Sequence, residues 1–235
     1  MSGNMTAAWQ INKGIGYLKV LKIEDMLDHR QLIDHSVENN ELRCIVFLLN
    51  TSDSFSDKED SKSEIFTWLN TFPLPSLVYI DNHCSGVQLE IAMMCDMRLG
   101  GENLFIQFTT FPFEKCSFDF TERCQLIMGR ERDIDYSYLF KKGFNTESAA
   151  KILFINQMID THTMMHEIHA YIDRILTNKE IYNIKSVMKC FNHYKSTPFH
   201  FDRELLLEQE TKQFCYLVYK DYYAELKTKI KEEIK

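Results

Sequence analysis

The 235-residue chain has 45% hydrophobic and 26% charged residues, enough to bury a sizeable core in one large domain or two small ones. Its formal net charge of −7 leaves no basic surplus for phosphates, which argues against a general nucleic-acid binder. No stretch approaches the roughly eighteen apolar residues of a membrane span. The start of the chain lacks a charged-then-apolar signal segment, and seven scattered cysteines without a CxxC pair point to reduced thiols in a cytoplasm.

In chain order, residues 8–10 and 15–20 predict two short strands around Lys13-Gly14, an opening hairpin. Residues 23–37 have helical spacing and many charges, as a surface helix does. Cys44-Ile-Val-Phe-Leu-Leu49 is a fully apolar run of strand length. With a helical stretch over 63–70 and a second run, Leu77-Val78-Tyr79-Ile80, it makes a βαβ crossover. The polar loop Asn50-Thr-Ser-Asp-Ser-Phe-Ser-Asp-Lys-Glu-Asp60 follows the first run, at the carboxyl end of a strand where open α/β sheets contact ligands. The same loop is equally consistent with a solvated acidic surface.

After Ile80 the residues to Ser85 predict a tight polar turn, with Gly86 free to take positive φ. Residues 87–95 then predict an apolar helix buried on nearly all sides. Glu90 stands in it one turn from the start, a costly place for a carboxylate that nothing uses. A strand pair over 97–99 and 104–108 leaves through Gly100-Gly101. Helices are expected over 121–128 and 136–142, with Thr146 as the apparent N-cap of a further one. Three more are expected over 163–176, 179–194 and 202–229.

The stretch Asp81-Asn82-His83-Cys84-Ser85-Gly86-Val87-Gln88-Leu89-Glu90-Ile91-Ala92-Met93-Met94-Cys95-Asp96-Met97-Arg98 resembles the central segment of the enoyl-CoA hydratase/isomerase (crotonase) superfamily. That family's pattern is strand, Asn-Gly, a glycine-rich turn, Glu-Leu-Ala and Cys-Asp-Ile/Met-Arg. Here only Gly86 remains of the turn's glycines. The resemblance spans roughly residues 44–220 and includes the stretch from Phe144 to Ile159. It implies an α/β crotonase-like (ClpP/crotonase) fold of repeated ββα units, with an α/β core over 1–160 and a C-terminal helical region over 161–235 for packing and oligomerisation. A homotrimer or hexamer is implied as well.

For the site, the resemblance implies Glu90 as general acid/base and an oxyanion hole of backbone N–H groups from Val87 and from Ser56, Asp57 or Lys58. Gly86, Phe55 and Thr109 would line the substrate. Glu90 follows Val87 by three residues, so the two share a helix face. Thr109 stands where hydratases place a second acid, which disfavours simple hydration; Glu114 or Asp119 are candidates to replace it. No metal or resident cofactor is implied, coenzyme A or phosphopantetheine being part of the substrate. The family's Pro-Asn-Ala-type motif at the nucleotide edge is missing, so an acyl group on a carrier protein, as in polyketide tailoring, stands beside acyl-CoA.

Other chemistry weighs less. His83-Cys84 suggests a thiol nucleophile, but adjacent residues in a turn rarely align a thiol and an imidazole. His162, His166 and His169 have helical spacing without the HExxH pattern and fit a solvated face better than a metal site. The Lys-Glu alternation over 227–235 is a charged helix end. Two functions follow: a divergent acyl-thioester enzyme performing isomerisation, hydration/dehydration or decarboxylation, or a crotonase-like binding or assembly protein that has lost its site.

Overall fold

A computed structural model describes residues 8–49, 59–107, 143–176 and 179–196. Among the described residues, one sheet has six strands and a second has three. In the large sheet β1 (Trp9–Asn12) pairs antiparallel with β2 (Ile15–Val20). The turn between them holds Lys13 at φ +50° and Gly14 at φ +77°, the left-handed pair that a two-residue hairpin requires. Parallel pairing then carries the sheet through β3 (Cys44–Leu49), β4 (Ser76–Ile80), β6 (Met97–Gly100) and β9 (Gln157–Met158). Every residue of β3 and β4 is buried, as expected of parallel strands covered on both faces.

Helices α1 (Glu24–Glu38) and α2 (Glu59–Thr71) make the crossovers into β3 and β4. Trp68 of α2 packs edge-on against Phe47 and Phe72 and donates its indole N–H to Asp34 Oδ1 at 3.0 Å, tying α2 to α1. Helix α3 (Gly86–Met94) follows β4 through the short strand β5 (His83–Cys84), and all residues from Val87 to Met94 are buried. β5 pairs parallel with β7 (Phe105–Ile106), which pairs antiparallel with β8 (Phe144–Asn145).

Three local expectations change. His83-Cys84 is a strand and not a turn, because it finds a partner 22 residues later in β7. The strands expected over 97–99 and 104–108 exist as β6 and β7 but belong to different sheets. The cap of α4 (Thr146–Lys151) is Asn145, whose side-chain oxygen accepts from Ser148 N at 3.0 Å. Thr146 instead turns inward and donates its hydroxyl to Gly101 O at 2.7 Å.

A 3₁₀ turn (Thr161–Thr163) leads into α5 (Met164–Leu176), and α6 (Ile181–Ser196) follows. Ile168, Ile172, Leu176, Ile184 and Met188 from these helices join the same buried cluster as the sheet. The expected helices over 121–128, 136–142 and 202–229, and the charged stretch 227–235, lie outside the described residues.

The Asp96 and Arg98 of the central motif are framework residues. Asp96 Oδ2 accepts from both the N–H and the hydroxyl of Ser76 at 2.8 Å, fixing the start of β4. The Arg98 guanidinium donates to Phe154 O at 2.7 Å and to Cys95 O at 2.9 Å, and burial lowers its pKa to about 10. Arg98→Met fills much of the volume but leaves two carbonyls without these donors. It is expected to lower stability by about 3 kcal/mol, read as a shift in the urea midpoint at constant m. A loss below about 0.5 kcal/mol would contradict that assignment.

Candidate active site

The chain enters α3 from an extended Ser85 (φ −149°, ψ 171°), and no side chain caps the helix. Gly86 takes φ +56°, which confines the left-handed conformation to the residue that tolerates it. Val87 is not among the positive-φ residues, so its β-branched side chain sits in helical backbone without strain. The N–H groups of a helix's first turn have no partner within the helix and lie at its positive end. Among the described residues, a Cβ added to Gly86 would meet nothing within 4 Å.

One turn further, Glu90 has no exposed surface. Its Oε1 lies 2.7 Å from Nζ of Lys62, whose side chain is 10% exposed. Lys62 comes from α2, the helix packed on α3. It shares a stripe with Ile65, Phe66 and Leu69, all buried, and its ammonium stands 5.9 Å from the centre of the Phe66 ring. Removing either charge of such a pair strands the other in an apolar interior. Lys62 sits at the end of a charged run, which hides it in the sequence. The signal was present in its spacing of three, four and seven residues from Ile65, Phe66 and Leu69.

Cys84, weighed as a nucleophile, faces the core: it is fully buried and burial pushes its thiol up to about 12. The thiolate that nucleophilic chemistry needs is therefore not formed near neutral pH. His169 packs edge-on against Tyr17, with ring centroids 6.2 Å apart, and burial lowers its pKa. Among the described residues no three His, Cys, Asp or Glu side chains are grouped to hold a metal ion. The structure thus brings Gly86, Val87 and Glu90 together on α3. Phe55, Ser56, Asp57, Lys58, Thr109, Glu114 and Asp119 lie outside the described residues.

No protein-family model matches the chain, and no curated protein matches it. Solved structures do. A human enoyl-coenzyme A hydratase domain-containing protein 3 superposes with a TM-score of 0.68 at 11% identity, covering 95% of this chain and 96% of its own. An enoyl-CoA hydratase from Shewanella pealeana gives 0.65 at 12% identity, covering 96% and 92%. A structure described as an enoyl-CoA hydratase/isomerase (crotonase) from Legionella pneumophila gives 0.66 at 13% identity, covering 95% of each chain. The chain has the crotonase fold. No helix among the described residues is long and apolar enough to cross a membrane.

The Lys62–Glu90 pair generates a double-mutant test. Lys62→Met alone leaves a buried carboxylate without its ammonium and is expected to cost about 3–5 kcal/mol. Lys62→Met combined with Glu90→Leu removes both charges and is expected to recover most of that loss. Urea titration of the single and double variants measures it. Additive losses would show that the two residues are not coupled.

Proposed function

We propose that the protein is an enzyme acting on an acyl thioester, carried on coenzyme A or on the phosphopantetheine of a carrier protein. One observation supports this most: a fully buried carboxylate, Glu90, lies one turn after Val87 and the uncapped start of α3. In this reading the thioester oxygen accepts from the Val87 N–H and from a second N–H in the loop 56–58. Negative charge developing on that oxygen is favoured by the helix dipole and by the Val87 N–H.

Glu90 takes a proton from the acyl Cα, and the electron pair moves onto the carbonyl oxygen to give an enolate. Returning the proton to another carbon shifts a double bond, while loss of CO₂ from a β-carboxyl reaches the same enolate. With Thr109 at the second-acid position, isomerisation or decarboxylation fits better than hydration. Lys62 orients the Glu90 carboxylate by engaging Oε1. A homotrimer or hexamer in a cytoplasm belongs to the same proposal.

A crotonase-fold binding or assembly subunit is the second reading, and one observation favours it. Glu90 has no exposed surface, so a substrate reaches it only by displacing the side chains that cover it.

Crotonyl and 3-enoyl thioesters, on coenzyme A and on pantetheine carriers, separate the two. The enzyme reading expects turnover by the wild type and a loss of about 100-fold or more in kcat for Glu90→Gln, assayed at a temperature where the variant, its midpoint lowered by the stranded Lys62 ammonium, is still folded. Wild-type protein that neither binds nor turns over these thioesters would sink the enzyme reading in favour of the binding subunit.

A further inference from the structure

The small sheet builds a second set of reactive side chains beside the start of α3. Successive residues of a strand point to opposite faces, so residues two apart share one. On β5 and β7 the register sets His83 opposite Phe105 and Cys84 opposite Ile106. Cys84 and Ile106 are both fully buried and form the core face. His83 and Phe105 therefore take the other face. Ser85, still extended, follows His83 on that face, and Gln107 follows Phe105, its N–H donating to Cys84 O at 2.9 Å as the ladder continues.

These four side chains make a connected group. His83 Nε2 lies 2.9 Å from Gln107 Oε1, and His83 Nδ1 lies 3.4 Å from Ser85 Oγ. With the carboxamide oxygen of Gln107 facing Nε2, that nitrogen carries the imidazole hydrogen, because the oxygen only accepts. A neutral ring then has its lone pair on Nδ1, and the Ser85 hydroxyl donates to it. Phe105 stacks on the ring, with centroids 5.9 Å apart and planes 26° apart. Gly143 leaves the space for Phe105, since a Cβ there would enter the phenyl ring. The imidazole is thus held in one tautomer and one orientation, with a hydroxyl at its basic nitrogen. Ser85 does not cap α3, leaving its hydroxyl to His83. Beyond it the first-turn N–H groups of α3 begin, and among the described residues nothing lies within 4 Å of a Cβ placed on Gly86.

We propose that Ser85, His83 and Gln107 form a nucleophile–base–orienter set that hydrolyses acyl thioesters through an acyl-serine, an inference resting on the thioester reading above. Ser85 Oγ bonds to the thioester carbonyl carbon while its proton passes to His83 Nδ1. The oxyanion collapses, the C–S bond breaks, and the sulfur leaves as a thiol with the proton from His83. Water then gives a proton to Nδ1 and attacks the ester. The C–Oγ bond breaks, Ser85 recovers its proton, and a carboxylic acid is released. The 3.4 Å Oγ–Nδ1 separation is the loose hydrogen bond common where no substrate is bound. Ser85 and His83 are catalytic residues in this step. Gln107 is a positioning residue.

Butyryl-CoA and butyryl-pantetheine test it, because a saturated acyl chain has no double bond to move and thiol release reports hydrolysis alone. Full-length wild type is expected to release thiol and to carry a butyryl mass adduct mapping to Ser85 in quenched samples, a readout that needs no variant. Ser85→Ala abolishes both, while Ser85→Cys retains an adduct. His83→Gln slows release by about 100-fold or more. Gln107→Leu, which frees the imidazole to take the other tautomer, lowers kcat by about tenfold or more with KM unchanged. Exchange of the butyryl Cα hydrogens in D₂O without thiol release or an adduct overturns the Ser85 proposal and leaves the enolate reading standing. Neither exchange, binding nor thiol release overturns both.

Discussion

Enclosing α3 on every side is the constraint from which the rest of this structure follows. A helix whose residues from Val87 to Met94 are all buried needs sheet, helix and loop around its whole circumference. Helix α2 packs against it, and the apolar side chains of α3 share one buried cluster with those of β4 and β6, the strands before and after it in the chain. Its single carboxylate then has to be matched within the protein, and Lys62 lies 2.7 Å away. Asp96 and Arg98, just past its carboxyl end, bind the neighbouring backbone at Ser76, Cys95 and Phe154 and lock the helix to the sheet.

Much of this framework was legible in sequence because full burial leaves a plain mark. The unbroken apolar runs of β3 and β4 and the apolar stretch ending at Cys95 have few alternatives, and the motif through Arg98 fixes their order. The hairpin around Lys13-Gly14 was equally plain. What escaped notice depended on distant partners. Two residues, His83-Cys84, are too short to show alternation, and only β7 makes them a strand. β6 and β7 look like a hairpin across Gly100-Gly101, yet each pairs with strands elsewhere. Thr146 and Asn145 are both good caps by residue type. The nearby carbonyl of Gly101, which no local rule reveals, draws Thr146 inward.

The same division holds for the site. That Gly86, Val87 and Glu90 fall at the start of one helix was legible because they lie on one contiguous stretch. Lys62 was not, since its role depends on α2 packing against α3. The Ser85–His83–Gln107 set was missed for a related reason. His83 and Cys84 are neighbours in sequence, whereas in extended backbone the side chains that meet are two residues apart. Gln107 joins only through the pairing of β5 with β7. The start of α3 is thus bordered by two kinds of chemistry: the carboxylate at Glu90 suited to a proton on carbon, and a hydroxyl at Ser85 suited to a carbonyl carbon.

Both depend on one claim, that a thioester carbonyl is polarised at the amino end of α3. Difference infrared spectroscopy of a ¹³C-carbonyl-labelled butyryl thioester bound to the Ser85→Ala protein, which keeps the acyl group on sulfur, tests it most directly. The account predicts a carbonyl band shifted to lower frequency than in water, as donors fixed along the C=O weaken the bond. A bound thioester whose band lies at or above its position in water would contradict it.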